Sequence, residues 1–390
     1  MVQGLRVLYL HQYFKTPSES GGVRSYEIAK RFSNEYDLKV CLITTRPYGS
    51  YIIPRKESVE NIEIWSIKST INNKSSFVSR VFAFIYFSLF TSIASLVFKY
   101  DFTYATSTPL SVGFPAIVAK ILRRKPYFFE VRDVWPEIPV SMGIIENQVL
   151  IKVLLWFEQI IYSNSNGIVA LSTGMENSIN NRNTHSKPIL VAPNFTKDFD
   201  NLCPTNYSLD GAIKFIYTGT HGIINNVSYA IRLSHELDCL GLAHHFKIIG
   251  DGMTKESDIK LAQTLGADSV SFHAPVSKGE VYKEIASAHF AFSLFDDVPE
   301  MWANSANKFF DYLSQKKPVV INYGGWQKDV IESNSIGIGI NPKDVKKGAE
   351  SLINFISNFD YEPNNFDDLI NEYSPDTATH NIVNFFETHL

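Results

Sequence analysis

The chain has 390 residues, 45% of them hydrophobic and 19% charged, with 36 basic against 40 acidic side chains and a net charge of -4. At roughly 150 residues per domain, that length suggests two domains, each able to bury its own core. Three cysteines, Cys41, Cys203 and Cys239, with no Cys-x-x-Cys spacing exclude a disulfide scaffold and a zinc ribbon, and the mildly acidic balance argues against nucleic-acid binding, which needs clustered Lys and Arg. The N-terminus runs directly into an apolar strand-like stretch too short for a secretion signal, so a cytoplasmic location is expected.

In chain order, short apolar runs at 5–10, 38–44, 62–67, 102–105, 127–131, 167–170 and 189–192 alternate with segments of helical period. Runs apolar throughout read as parallel strands buried on both faces. A polar stretch at 196–210, containing Pro204, interrupts the series, which resumes at 213–217, 245–249, 270–273, 290–293 and 319–321. The expected architecture is α/β, with two Rossmann-like, doubly wound domains facing each other across a cleft. The first would cover 1–195, a linker 196–210 and the second 211–375, while a final helix at 376–390 packs back on the first. Ligands belong at the carboxyl ends of the strands.

One crossover stands apart. Between Arg80 and Lys99, 18 residues run without a charge, at the low edge for a membrane span. A single span would split one α/β domain across the bilayer, so the expectation is a crossover helix. It is either buried or exposed enough for Phe82, Phe84, Tyr86, Phe87, Phe90 and Phe98 to touch a membrane surface.

Four motifs carry chemistry. Gly21-Gly22 precedes a helix beginning near Arg24, a place where backbone can approach a ligand and helix N–H groups can face a phosphate. Glu130-Val131-Arg132-Asp133-Val134-Trp135-Pro136-Glu137 crowds charge at a strand's carboxyl end. In the second half, Tyr217-Thr218-Gly219-Thr220-His221-Gly222 and Gly250-Asp251-Gly252 each leave a strand. Asn304-Ser305-Ala306-Asn307-Lys308-Phe309-Phe310-Asp311 opens a helix that Asn304 or Ser305 would cap, with Lys308 suited to a diphosphate and Asp311 to ribose hydroxyls. There is no G-x-G-x-x-G and no Walker lysine motif, which disfavours nicotinamide enzymes and P-loop ATPases.

In their order along residues 5–325, these pieces together with Pro193-Asn194 and Lys317-Pro318-Val319-Val320 resemble glycosyltransferase family 4, whose members are retaining enzymes of the GT-B fold. The Arg-Asp-x-Trp-Pro and Asn-Lys-Phe-Phe-Asp-Tyr-Leu forms are most similar to the bacterial surface-polysaccharide branch that includes N-acetyl-L-fucosamine transferases. The resemblance implies that the first domain receives the acceptor and the second binds the nucleotide sugar. Donor contacts would come from Gly219, Thr220, His221, Gly222, Gly250, Ser305, Asn307, Lys308 and Asp311, with Gly21, Gly22 and Arg24 forming an acceptor or diphosphate loop. Arg132, Asp133 and Lys308 would act on the reacting groups.

Two departures qualify the likeness. Where the family carries the first acid of its Glu-x7-Glu motif this chain has Ala303, so the sugar contact would fall to Asp296, Asp297 or Glu300. The basic residues that relatives carry after the pyrophosphate-loop glycine are replaced by Thr220, His221 and Asn225. The implied activity is metal-independent, retaining transfer of a sugar from a nucleotide diphosphate donor, UDP-linked, to a polyprenyl-diphosphate-linked acceptor at the inner face of the cytoplasmic membrane, in O-antigen or capsule synthesis. No metal and no nucleic-acid partner are expected. A nucleotide-sugar epimerase of similar architecture, or a non-catalytic glycan-binding relative, is the alternative.

Overall fold

The computed structural model describes the chain apart from residues 1, 18, 20, 21, 70–75, 183–185, 197–208 and 210. It divides into two compact units. Unit 1 runs to Pro193 and also contains Pro375–Leu390; unit 2 is Asn194–Ser374. Most of the stretch expected as a linker, 197–208 and 210, and Gly21 of the Gly21-Gly22 turn lie outside the described residues.

Unit 1 follows β1 (Arg6–Leu10), α1 (Arg24–Asn34), β2 (Lys39–Arg46), β3 (Arg55–Val59), β4 (Ile62–Lys68), α2 (Phe77–Val97), β5 (Phe102–Thr106), α3 (Gly113–Arg123), β6 (Tyr127–Val131), α4 (Glu137–Ser141), α5 (Gln148–Asn164), β7 (Gly167–Ala170), α6 (Thr173–Asn180) and β8 (Ile189–Val191). Its eight strands lie in the order β3-β4-β2-β1-β5-β6-β7-β8, all parallel except β3 against β4. The order reverses direction between β1 and β5, which creates a crevice at their carboxyl ends. The central parallel strands are buried because helices cover both faces; β5 and β6 are buried at every residue.

Unit 2 follows β9 (Ile213–Thr218), α7 (Val227–Cys239), β10 (His244–Ile249), α8 (Lys255–Leu265), β11 (Val270–His273), α9 (Lys278–Ser287), β12 (Phe290–Ser293), α10 (Asn307–Ser314), β13 (Val319–Ile321), α11 (Trp326–Ser333), β14 (Gly337–Gly339), α12 (Val345–Asn358) and α13 (Asp367–Glu372). Its parallel sheet has the order β11-β10-β9-β12-β13-β14, with the reversal between β9 and β12. Phe215, Phe246 and Phe292 stack at the centre of its core, with ring centroids 4.6 to 5.7 Å apart.

The last helix, α14 (Pro375–His389), belongs to unit 1. Its fully buried Phe386 sits among Phe32, Phe102, Tyr104 and Phe128, with the Phe128 centroid at 4.5 Å. Arg31 of α1 donates to Asp376 at 2.5 Å, and Glu387 accepts from the Val2 backbone at 3.0 Å. Burying a side chain of that size contributes about 1.5–3 kcal/mol, enough to hold a terminal helix in place.

Helix α2 is inverted. Its buried face carries Ser88, Thr91, Ser92 and Ser95, whose hydroxyls bond back to carbonyls one turn earlier or, from Ser88, to Ser111 near α3. Val78, Phe82, Ile85, Leu89 and Ile93, spaced by four, three, four and four, are exposed. Of the expected membrane-touching aromatics, Phe82 is exposed and Phe84, Tyr86, Phe90 and Phe98 are half-buried. Phe87 lies wholly in the core, so it is a packing residue and not a surface one.

Candidate functional site

At the carboxyl end of β6 in unit 1, the side chains of the charge-dense motif are largely paired. Glu130 is fully buried and accepts from Arg24 (3.0 Å), Tyr104 (2.9 Å) and Thr106. Burial pushes its carboxyl pKa up, but the guanidiniums of Arg24 and Arg132 and these donors outweigh it and hold the group below the ordinary carboxylate range. Arg24, expected beside a phosphate, instead turns into the interior. It donates to Glu130, to the Ala192 carbonyl (2.9 Å) and to the Pro193 carbonyl, and is 3% exposed. The start of α1 thus lacks the cation assigned to it; Gly22 beside it is exposed.

Arg132 and Asp133 are half-buried. Arg132 reaches His11 Nε2 at the exit of β1 (3.5 Å), and its backbone N–H donates to Ser107 Oγ (2.9 Å). His11 must accept there, and burial together with Arg132 and Arg46 lowers its pKa well below the ordinary value, so the ring is neutral. Asp133 accepts from Thr108 Oγ1 at 2.7 Å. Glu137 is held by Ser178 (2.7 Å) and Arg182. The exits of β1, β5 and β6 are therefore brought together, with Arg132 and Asp133 retaining partly open surface. Gln12 beside them is fully buried, and neither end of its amide has a hydrogen-bond partner among the described residues.

Unit 2 is arranged differently. Gly219 and Gly250, at the exits of β9 and β10, approach so closely that a Cβ on Gly250 would meet the Gly219 carbonyl oxygen at 1.8 Å. Gly252 stands as near to the His221 carbonyl, and its φ of 155° lies in a region that only glycine occupies readily. His221 is fully buried, so it does not present its ring to an open site. Its Nδ1–H donates to Asp258 Oδ2 on α8 (2.8 Å), which also accepts from Thr254 Oγ1 (3.0 Å), while its backbone bonds to Asp251 and Thr254. Asp258 is 37 residues away and gave no local signal. Thr220 is exposed and Gly222 half-buried at the outer edge of the same loop.

Lys308, in the first turn of α10, lies beside this loop. Its ammonium donates to Tyr217 Oη (3.1 Å) and Asn225 Oδ1 (3.3 Å), 4.4 Å from the Tyr217 ring centroid and 5.7 Å from that of Phe295. Phe295 is fixed by two bonds of its backbone with the Asn322 amide, both 2.9 Å. Tyr217 in turn donates to the Thr220 carbonyl (3.0 Å), so the cation and the loop are linked. Lys308 makes no ion pair among the described residues, and burial lowers its pKa to about 7. A half-buried cation seated on aromatic rings, with neutral partners only, suits an incoming anion.

The other expected donor and sugar residues have varied surroundings. Asp311 accepts from Lys278 (2.5 Å) and Tyr282 (2.9 Å). Ser305 does not cap α10, whose cap position is Ala306 and carries no side-chain bond; Asn304 does not cap it either. Ser305 instead bonds Asn194, Oγ accepting from its backbone at 3.0 Å and the carbonyl from its amide at 2.6 Å. Asn307 is exposed at the start of α10. Asp296 accepts from Asn226 (3.3 Å), Asp297 pairs with Lys343 (3.2 Å) and Glu300 is exposed. Ala303, on the same loop, is half-buried. Among the described residues, no three His, Cys, Asp or Glu side chains converge as a metal cluster.

No family model matches the sequence and no curated protein does. Solved structures do match the fold. The lipopolysaccharide outer core galactosyltransferase WaaB in its apo form is 16% identical, with 99% of this chain and 100% of that chain covered at a TM-score of 0.68. HepE from Anabaena in complex with UDP and glucose is 13% identical, over 98% and 99% of the two chains, at a TM-score of 0.68. Sucrose-phosphate synthase from Thermosynechococcus elongatus is 12% identical, with 98% of each chain covered and a TM-score of 0.72. At these identities the likeness is one of fold: two Rossmann-like α/β sheets, of the GT-B class.

Proposed function

We infer that the chain is a glycosyltransferase using a UDP-linked sugar, of the retaining and metal-independent kind, in bacterial surface-polysaccharide synthesis. The observation that carries this reading is Lys308, an ammonium without a carboxylate partner among the described residues, seated on Tyr217 and Phe295 beside a glycine loop at the β9 exit. Charge builds on the leaving diphosphate as the glycosidic bond to it breaks. Lys308 and the backbone of the Gly219–Gly222 loop would offset that charge without rearranging. Solved relatives in fold described as complexes with UDP and glucose or with UDP-glucose add to the case for that donor. The acceptor is a sugar on a polyprenyl diphosphate, delivered at the cytoplasmic face of the membrane, and Arg132 and Asp133 orient it or the transferred sugar. Asp296, Asp297 and Glu300 are the sugar-contact candidates in place of an acid at position 303.

The test is a UDP-sugar panel with and without lipid-linked acceptors, with product and released UDP separated by chromatography. UDP release that requires an acceptor supports the reading; turnover of donor alone supports an epimerase, and no release supports a glycan-binding protein. Asp133→Asn should lower turnover far more than UDP affinity, since its site acts on the reacting sugars. Equal losses in the two would point to general destabilisation.

A further inference from the structure

We propose that the outer face of the layer formed by α2, α3 and α5 docks unit 1 on an anionic lipid bilayer. This deepens the lipid-carried acceptor of the reading above, and its test does not depend on activity. An amphipathic helix in water turns its polar side outward, yet α2 buries Ser88, Thr91, Ser92 and Ser95 and exposes large apolar residues. That arrangement is costly against water and favourable against hydrocarbon. The pattern continues across the neighbours, since α2 packs on α3 and α3 on α5. Exposed Ile121 and Leu122 lie on α3, and exposed Val153 and Trp156 on α5. Beside α2, Tyr51 packs its ring against Tyr86 and is followed by Ile52 and Ile53, which are 84% and 72% exposed.

Charge identifies the occupant. Helices α2, α3 and α5 hold one carboxylate, Glu158, and it is buried. On the three helices themselves the charges outside the core are cations, half-buried Arg80, Lys120 and Arg123 and exposed Lys152, and exposed Lys99 and Arg124 follow the ends of α2 and α3, while the exposed acids Asp101 and Glu146 lie beyond the helices. Two copies of this face would oppose like charges, whereas anionic headgroups would meet them. A spanning α2 does not fit. Strands β4 and β5, on either side of it in sequence, lie in one sheet, so the helix lies along the unit as a surface element.

The experiment is flotation of the full chain with phosphatidylcholine vesicles, with and without phosphatidylglycerol. Wild type should float, more completely with the anionic lipid, and high salt should release only part of it because the contact is mainly apolar. The pair Phe82→Ser/Leu89→Ser on α2 and the pair Val153→Ser/Trp156→Ser on α5 should each lose most of the floated fraction, with unchanged melting temperature and UDP affinity. Independently of folding in the variants, brominated lipid should quench wild-type tryptophan fluorescence, and Trp156→Phe should remove that quenching. Wild type remaining in the soluble fraction overturns the proposal. So does wild-type flotation of the α5 pair, which would confine the contact to α2, or a vesicle-free oligomer that the same substitutions disperse, which would make a second copy the occupant. Flotation without UDP affinity sinks the transferase reading and leaves the docking face standing; UDP affinity without flotation does the reverse.

Discussion

At the strand exits of unit 1, Arg24 and Glu130 are buried as a pair, His11 takes a bond from Arg132 and Thr108 gives one to Asp133. At the strand exits of unit 2, Lys308 has only neutral partners among the described residues, and the loop beneath it is held by backbone contacts that only glycine allows. Both units reverse strand order at the equivalent place, so the topology offers a ligand crevice in each. What differs is how the charge is settled. Unit 1 spends its cation at the α1 start on its own fold, whereas unit 2 keeps one in reserve. Strand order can thus say where a ligand goes, and charge pairing says which ligand.

The sharpest way to break that comparison is to delete the cation from each side. Arg24→Ala leaves Glu130 buried without its partner and should cost about 3–5 kcal/mol of unfolding free energy, measured by chemical denaturation. Lys308→Ala should not destabilise the fold, since it removes a cation that burial disfavours, while weakening UDP binding by about 1.5–3 kcal/mol, roughly tenfold to a hundredfold by calorimetry. Equal destabilisation by the two, or unchanged UDP affinity in the second, would remove the distinction.

A smaller effect should follow from loosening the unit 2 loop. Asp258→Ala and His221→Phe each cut the bond between the loop and α8 without touching its outer edge. Each should weaken UDP binding by about 1 kcal/mol, the usual net worth of one buried hydrogen bond. If affinity holds while the melting temperature falls, His221 serves the fold only.

Lys308 also sets a pH dependence. Its pKa is lowered to about 7 in the free protein, so above neutrality the site is increasingly uncharged. A bound diphosphate favours the ammonium, so binding near pH 8 should take up a proton and affinity should decline as pH rises past 7. The stability sign is opposite. Between about pH 7 and the ordinary lysine range near 10.4 the unfolded chain binds the extra proton, so this group makes folding more favourable as pH rises. Calorimetry in buffers of different ionisation enthalpy reads the uptake directly, and an uptake of zero at pH 8 would place the anion elsewhere.

The sequence showed the buried parallel strands well because both faces of each are covered, which leaves a largely apolar run. It missed β3, an antiparallel edge strand reading Arg-Lys-Glu-Ser-Val, and β14, three residues with glycine at each end. Edges carry charge and small residues, so they leave no such run. The site was legible as strand exits but not as pairings. Nothing local in Gly22-Val23-Arg24 signals that the arginine turns inward to a carboxylate 106 residues away, nor does the His221 loop point to Asp258. Likewise the uncharged run of α2 was evident, while which of its aromatics face outward depended on helical phase; Phe87 is buried and Phe82 is not.

The smallest expected effect belongs to Asp311, and it sharpens the donor half of the comparison. Tyr282 fixes one carboxylate oxygen, while the other pairs with Lys278, whose side chain is 47% exposed. An ion pair at such an edge contributes little, about 0–1 kcal/mol, so a ribose hydroxyl can displace the ammonium without much cost. Lys278→Ala should therefore leave UDP affinity unchanged or slightly improved. Asp311→Asn keeps the size and the Tyr282 bond but weakens the acceptor offered to the ribose. Comparing UDP with 2′-deoxy-UDP isolates that contact: wild type should prefer UDP, and the variant should lose most of the preference while keeping the affinity supplied by Lys308. If both nucleotides bind wild type equally, the Asp311 carboxylate serves only its local pairing with Lys278 and Tyr282.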